Sequence, residues 1–134
     1  MSNNLDWEVQ RALFTQLTAN APLMAQLTGV FDFVPENTAL PYLTLGEQTA
    51  ADWSTKSFTG QEYLITLHVW SAARGRKQAK EIISLVHGAL HQTELAITGH
   101  HLANLRFVSS QLFLDEDGLT HHGVIRFRAR AHPQ

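Results

Sequence analysis

The sequence predicts one α+β domain spanning residues 1–134, with helices packed on one face of a small antiparallel or mixed sheet. Two segments carry apolar residues at helical spacing, and most of the remaining segments show the alternation of β-strands. The strand-like segments fall in groups before and after the second helix. The predicted order of elements is therefore α-β-β-β-α-β-β.

The composition is that of a globular protein, with 44% hydrophobic and 16% charged residues and no cysteine. A chain without cysteine has no disulfides, thiol catalysis or thiolate metal sites, which suits assembly in a reducing cytoplasm. No apolar run approaches the roughly 20 residues that span a bilayer, so we expect no membrane association. The start, Met-Ser-Asn-Asn-Leu-Asp, lacks the basic and apolar regions of a signal peptide, and none is expected.

The first predicted helix runs from about Leu5 to Ala19, with Asn3 or Asn4 as its N-cap. Five of its apolar residues form one stripe, which is expected to face the core. The stripe consists of Leu5, Val9, Ala12, Leu13 and Leu17. Pro22 then starts a short second turn of helix.

Two aromatic residues of the first helix, Trp7 and Phe14, lie nearly opposite this stripe and flank Arg11. In an isolated domain both would be left in water, so we predict that they form a contact surface with a partner. The alternative is that the short second helix, around Leu23–Leu27, covers them within the same chain.

Three segments before the second long helix have strand character. Val30–Val34 is a short apolar run, and a clearer strand runs from Pro41 to about Trp53. Ser54–Gln61 is polar and typical of a loop or hairpin tip. Glu62–Ser71 alternates over its whole length, and because both alternating sets are largely apolar we expect a central strand.

The strongest helical pattern covers about Arg76–His91. Its narrow apolar stripe consists of Ala79, Ile82, Ile83, Val86 and Leu90. A hairpin follows, with strands Leu102–Leu114 and Leu119–Ala131 joined by the turn Asp115–Gly118. The turn only superficially resembles a calcium loop, because the twelfth position from Asp115 is Arg126 rather than glutamate.

An arginine row, Arg126, Arg128 and Arg130, shares one face of the last strand at intervals of about 6.5–7 Å. Three interpretations remain open: pairing or solvation within the chain, contact with another subunit, and phosphate binding. Aromatic residues do not alternate with these arginines, which argues against a platform for single-stranded nucleic acid. We expect no specific nucleic-acid binding.

Charge is unevenly distributed along the chain. Residues 1–62 carry seven acidic and two basic residues, whereas residues 63–134 carry five acidic and eight basic residues. Such asymmetry favours contact between unlike faces of neighbouring copies. Charges scattered over a folded surface explain it equally well.

The eight histidines raise the question of a metal site. They include one pair at i,i+4 spacing and two adjacent pairs: His87 with His91, His100 with His101, and His121 with His122. Gly88 occupies the position where a zinc metalloprotease has its glutamate base. Neighbours on a strand point to opposite faces, so each adjacent pair offers one ligand to one site. We therefore expect surface histidines, with no metal, no cofactor and no catalytic residue.

Several segments occur in an order that resembles a known family over about residues 5–131. Besides the opening helix they are Val34-Pro35, Leu40–Glu47, Asp52–Lys56, Leu67–Ser71, His101–Phe107 and His122–Ala129. This series resembles the phage tail completion family. Its members are small head–tail joining or tail terminator proteins of tailed phages, prophages and gene transfer agents.

The resemblance implies a structural protein, not an enzyme. It implies a subunit of a ring, hexameric in related tail terminators, at the head-proximal end of the tail in the virion, after assembly in the host cytoplasm. The implied partners are other copies of the chain, the tail tube protein and the head-connector protein.

The resemblance brings no catalytic, cofactor or metal residue with it. The residues themselves provide the candidate subunit-interface positions, which are Trp7, Phe14, Arg126, Arg128 and Arg130. A small non-viral adaptor or binding domain is the alternative, and a histidine-based metal-dependent enzyme is a more distant one.

Overall fold

The computed structural model describes residues 5–57, 59–97 and 99–133. The elements in these residues are, in order, α1 (Leu5–Thr18), α2 (Ala21–Met24), β1 (Val30–Phe31), β2 (Tyr42–Asp52), β3 (Gln61–Ser71), α3 (Lys77–Leu90), β4 (Leu95–Ile97), β5 (His100–Leu114) and β6 (His121–Pro133). The predicted α+β class is confirmed, and the order of elements agrees apart from two short additions. Helix α2 is the turn expected at Pro22, whereas β4 has no counterpart in the prediction. The suggested N-caps Asn3 and Asn4 lie outside the described residues.

The strands form one mixed sheet in the order β1-β2-β3-β6-β5-β4. β1 runs parallel to β2, and every other neighbouring pair is antiparallel. β3 and β6 pair at the centre without interruption, from Gln61 with Ala131 to Ser71 with His121. The prediction that Glu62–Ser71 is a central strand is confirmed.

The core lies between one face of this sheet and the helices α1 and α3. Alternate residues of the two central strands point toward the helices, and Tyr63, Leu67, Ile125 and Phe127 are almost completely buried there. Burying a large apolar side chain of this kind contributes roughly 1.5–3 kcal/mol relative to leaving it exposed. The pairing of β3 with β6 therefore brings together most of the sheet's contribution to the core.

The apolar stripe of α1 contacts this core as predicted. Val9, Leu13 and Leu17 are buried, and Leu5 and Ala12 pack against them while partly exposed. Polar contacts hold the first turn of the helix against the sheet. The hydroxyl of Tyr63 donates to Asp6 Oδ1 at 2.8 Å, and Gln48 Nε2 donates to the carbonyl of Asp6 at 3.1 Å. Burial, aided by Asp6, raises the pKa of Tyr63, which keeps the phenol a hydrogen-bond donor.

Helix α3 has the predicted apolar face with a small change in phase. Its buried residues are Ala79, Ile82, Val86, Ala89 and Leu90. Ile83 is only partly buried, because it lies at the margin of the stripe over Gly123 of β6. Neither α1 nor α3, the longest described helices at 14 residues each, is long and apolar enough to cross a membrane.

The turn between β5 and β6 is held by its own side chains. Asp117 Oδ1 accepts hydrogen bonds from the backbone N–H groups of Leu119 and Thr120, both at 2.8 Å. These bonds lower the pKa of Asp117, since they favour the charged carboxylate. The Asp117 carboxylate thus stabilises a hairpin turn, as the sequence predicts.

Truncating the buried face of α3 should destabilise the fold. Ile82→Ala should lower the free energy of unfolding by about 2–4 kcal/mol, and Val86→Ala by less because it removes fewer carbon atoms. Lys80→Ala, on the exposed side, should change it by no more than about 0.5 kcal/mol. Chemical denaturation of the three variants measures these differences. Equal stability of all three would show that the helix faces the core with another side.

Candidate functional site

The face of the sheet opposite the helices, here called the open face, carries the candidate functional groups. Its central part consists of the alternate residues of β3 and β6 that point away from the core. These are Glu62, Leu64, Thr66, His68 and Trp70 on β3, and His122, Val124, Arg126, Arg128, Arg130 and His132 on β6. The three arginines lie toward one end of the strands, together with His132, and His68, Trp70 and His122 lie toward the other.

The arginine row lies on the open face, but its members are in different environments. Arg130 Nε is 3.2 Å from Glu62 Oε2, and its guanidinium lies 4.7 Å from the ring centroid of Trp53. Arg128 is exposed and pairs in register with Arg106 of β5. We find no ion pair for Arg128 among the described residues. Arg130 is thus satisfied within the subunit, whereas no ion pair with another described residue compensates the charge of Arg128 or Arg106.

A hydrogen-bonded histidine cluster at the other end of the open face is absent from the sequence-based prediction. His68 Nδ1 lies 2.7 Å from His122 Nε2, and His68 Nε2 lies 2.9 Å from Glu47 Oε1. Trp70 stacks on His122 with ring centroids 3.8 Å apart. The alternation of β3 places His68 and Trp70 on one face. Their meeting with His122 requires the register between β3 and β6, which the sequence does not supply.

A glycine permits this cluster to form. Gly46 lies in the bulged part of β2, where the pairing with β3 shifts between Leu45 and Gln48. A Cβ at Gly46 would lie 2.6 Å from the His68 ring and 2.9 Å from the backbone oxygen of Thr66. Any side chain there would push the His68 ring away from Glu47, so glycine is required by this close approach.

The cluster is suited to holding side chains in place rather than to catalysis. Two of the four imidazole nitrogens of His68 and His122 bond to each other, so they do not point toward a common ion. Within the described ranges, no three histidine, aspartate or glutamate side chains are arranged as metal ligands. The rings of His87 and His91 contact each other at a tilt, with centroids 4.6 Å apart, and His91 Nδ1 accepts a hydrogen bond from the backbone N–H of Phe107.

The helix-side surface contains the second predicted region, Trp7 and Phe14. Their exposed fractions are 53% and 41%, so α2 does not cover them, and Leu23 of that helix lies in the core instead. Together with Arg11, Asp32 and Leu45 they line a shallow groove beside β1 and β2. Phe33, which follows Asp32, is 87% exposed and adds to the apolar character of this corner. The two predicted regions are on opposite sides of the sheet and do not form one site.

The histidine cluster should make stability depend on pH. Burial, together with the nearby His68, lowers the pKa of His122, and the hydrogen bond from His68 lowers that of Glu47. Both groups take up protons more readily in the unfolded chain. Their contribution to stability is present above their ordinary pKa values and is lost on acidification.

Because of His122, the melting temperature should fall between about pH 7.5 and pH 5, and the Glu47 contribution should be lost at lower pH. His122→Phe keeps a ring against Trp70 but does not titrate, so it should show a shallower fall. Calorimetry of both proteins across this range tests the assignment. Parallel curves would contradict a role for His122.

Comparison with known proteins gives consistent matches over nearly the whole chain. The model of the family described as tail completion protein gp17 matches residues 11–132. The tail completion protein gp17 of Bacillus phage SPP1 is 31% identical over 120 residues, covering 90% of this chain and 89% of that protein.

Two solved structures agree with this match. A chain in the virion of a native gene transfer agent particle has a TM-score of 0.90 and 30% identity, covering 98% of this chain and 99% of that one. The structure of bacteriophage SPP1 gp17 has a TM-score of 0.63 and 30% identity, covering 90% and 86% respectively. The chain belongs to the tail completion protein gp17 family, whose members are structural tail proteins and not enzymes.

Proposed function

We propose that this chain is a subunit of a ring that closes the head-proximal end of a phage tail tube and joins it to the head connector. One observation carries the proposal: the similarity to a chain of an assembled gene transfer agent virion, with a TM-score of 0.90 and almost complete coverage of both chains. In this proposal residues 1–134 act as one domain, six copies form the ring in the host cytoplasm, and the tail tube and head-connector proteins bind its two ends.

The surfaces described above support this proposal on physical grounds. A ring requires a heterologous contact, in which one patch of a subunit meets a different patch of the next. The subunit presents two unlike regions, an apolar corner around Trp7 and Phe14 and a basic area around Arg128 on the open face. We assign these regions to contacts with neighbouring copies or adjoining virion proteins. Of the arginine row we assign Arg126 and Arg128 to them and leave out Arg130, because Arg130 pairs with Glu62 within the subunit.

Stoichiometry is the direct test of the ring. Light scattering of the purified protein should give the mass of a closed oligomer, and negative-stain electron microscopy should show annular particles. A monomer at every concentration, with no binding to tail tubes, would contradict the proposal and favour an adaptor domain.

Removing the two exposed aromatics of α1 should affect assembly more than folding. Trp7→Ala combined with Phe14→Ala should lower the oligomeric mass in light scattering while the circular dichroism spectrum stays unchanged. Leu13→Ala is the matched control, because Leu13 directly precedes Phe14 on the same helix but is buried. It should lower stability by about 2–5 kcal/mol. Loss of a cooperative melt in the double variant would place the aromatics in the core instead.

Reversing the charge of Arg128 should weaken oligomers or tail attachment while the subunit stays folded. Arg128→Glu changes an exposed residue, so the free energy of unfolding should change by no more than about 0.5 kcal/mol. Lys80→Glu makes the same change in net charge on the exposed face of α3 and should leave assembly intact. An Arg128→Glu protein that assembles normally, or that unfolds, would show that the residue has no role in assembly.

A further inference from the structure

The outer edge of β5 is covered along only part of its length. β4 pairs with residues His100–Leu102, and the backbone N–H of Gln92 donates to the carbonyl of Leu105 at 2.7 Å. From Val108 to Leu114 we find no backbone partner on this side among the described residues. The segment contains no charged residue and no proline, although both commonly protect edge strands from pairing with other chains.

The opposite edge of the sheet is incomplete in a similar way. β1 pairs with Leu43 and Thr44 of β2, and the outer edge from Gly46 to Asp52 has no described backbone partner. Residues Thr49–Asp52 are all exposed. As far as the described residues show, the sheet thus has an unpaired stretch of about seven residues at each edge.

We infer that β5 of one subunit pairs with β2 of the next, so that the sheets of neighbouring subunits join into one continuous antiparallel sheet around the ring. The strand order makes this contact antiparallel, because β2 and β6 run in one direction and β3 and β5 in the other. The contact is heterologous, as ring closure requires. The inference rests on the proposed function and specifies how the ring is held together.

The two free stretches lie at diagonally opposite corners of the sheet. Gln111, in the middle of the free β5 edge, pairs with Val124 of β6, which pairs with His68 of β3. His68 pairs with Thr44, so Gln111 lies at the level of Thr44 on β2. Ala50, in the middle of the free β2 edge, pairs with Tyr63. The two levels are therefore five residues apart along β3. To pair the two free stretches, each subunit must be displaced by five residues along the strand direction relative to the preceding subunit in the ring.

This offset has the size that a closed barrel needs. Five residues along a strand correspond to about 17 Å, and each subunit adds four strand spacings, about 19 Å, counting the one between its β5 and the next β2. A displacement of about 17 Å along the strands for every 19 Å around the ring tilts the strands by roughly 40° from the ring axis. Strands in closed barrels tilt by about 35–45°. Edges that were free at the same level would give untilted strands, which do not fit a twisted sheet.

Side chains on the helix side of the two edges are also complementary. Leu112 and Leu114 of β5 point to that side, and Leu114 is 46% exposed. The groove lined by Trp7, Phe14 and Leu45 lies on the same side beside β2. A neighbouring β5 placed along β2 brings the leucines toward this groove, so the contact buries apolar surface in addition to forming backbone hydrogen bonds.

Disulfide trapping tests the contact directly, since the native chain contains no cysteine. Gln111 and the β2 residues Thr49 and Ala51 point to the open face, so Gln111→Cys is combined with Thr49→Cys or Ala51→Cys to scan two registers. Directly opposed residues of antiparallel strands have Cα atoms within the range that a disulfide spans. Gln111→Cys with Ser84→Cys, an exposed position on α3, is the matched control.

On mild oxidation, we expect at least one of the two β5–β2 double-cysteine variants to give a ladder of covalent oligomers up to the size of the ring. The control double variant and each single variant should remain monomeric on denaturing gels. Gln111→Lys, which adds a charge to the β5 edge, should lower the oligomeric mass while the circular dichroism spectrum stays that of the folded chain. An oligomer in light scattering without a ladder from either pair, or unaffected by Gln111→Lys, would overturn this contact and leave the ring standing. A protein that stays monomeric and gives no ladder would contradict both proposals.

Discussion

The uninterrupted pairing of β3 with β6 is the constraint on which the rest of the molecule depends. Because strand side chains alternate, a slip of one residue in this pairing would turn the buried side chains of one strand to the exposed face. The observed register places Tyr63 and Phe127 in the core and, on the other face, sets Trp70 opposite His122 and Glu62 opposite Arg130. The core and the open face are thus two consequences of the same set of backbone hydrogen bonds.

The helices complete only one side of this sheet. Their apolar stripes are satisfied by the core face, and the polar contacts of Tyr63 and Gln48 with Asp6 fix the rotation of α1. That rotation leaves Trp7 and Phe14 outside the core. The domain thus has a sheet face that no helix covers, an exposed aromatic corner and two incompletely paired edges. This is more surface suited to contacts than an isolated domain requires.

The chemistry of the side chains agrees with a structural role. The histidine cluster is paired internally, since His68 and His122 bond to each other and Glu47 completes the chain of hydrogen bonds. Arg130 is likewise neutralised by Glu62. The family membership explains why the informative features are surfaces and edges: a tail protein acts by where its subunits bind, and such contacts spread over many residues instead of converging on one reactive group.

Local periodicity and turn chemistry were enough to predict the fold class, the two long helices with their buried stripes, the central position of Glu62–Ser71 and the final hairpin. The order of the sequence segments also pointed to the family. The tertiary structure alone decided which strands are neighbours and in what register, and hence the meeting of His68 with His122, the ion pair of Arg130 and the free edges of β2 and β5. The physical reason is that periodicity gives only the face on which a side chain lies. Its partner on that face depends on pairing between segments more than fifty residues apart in the chain, and no local pattern encodes that pairing.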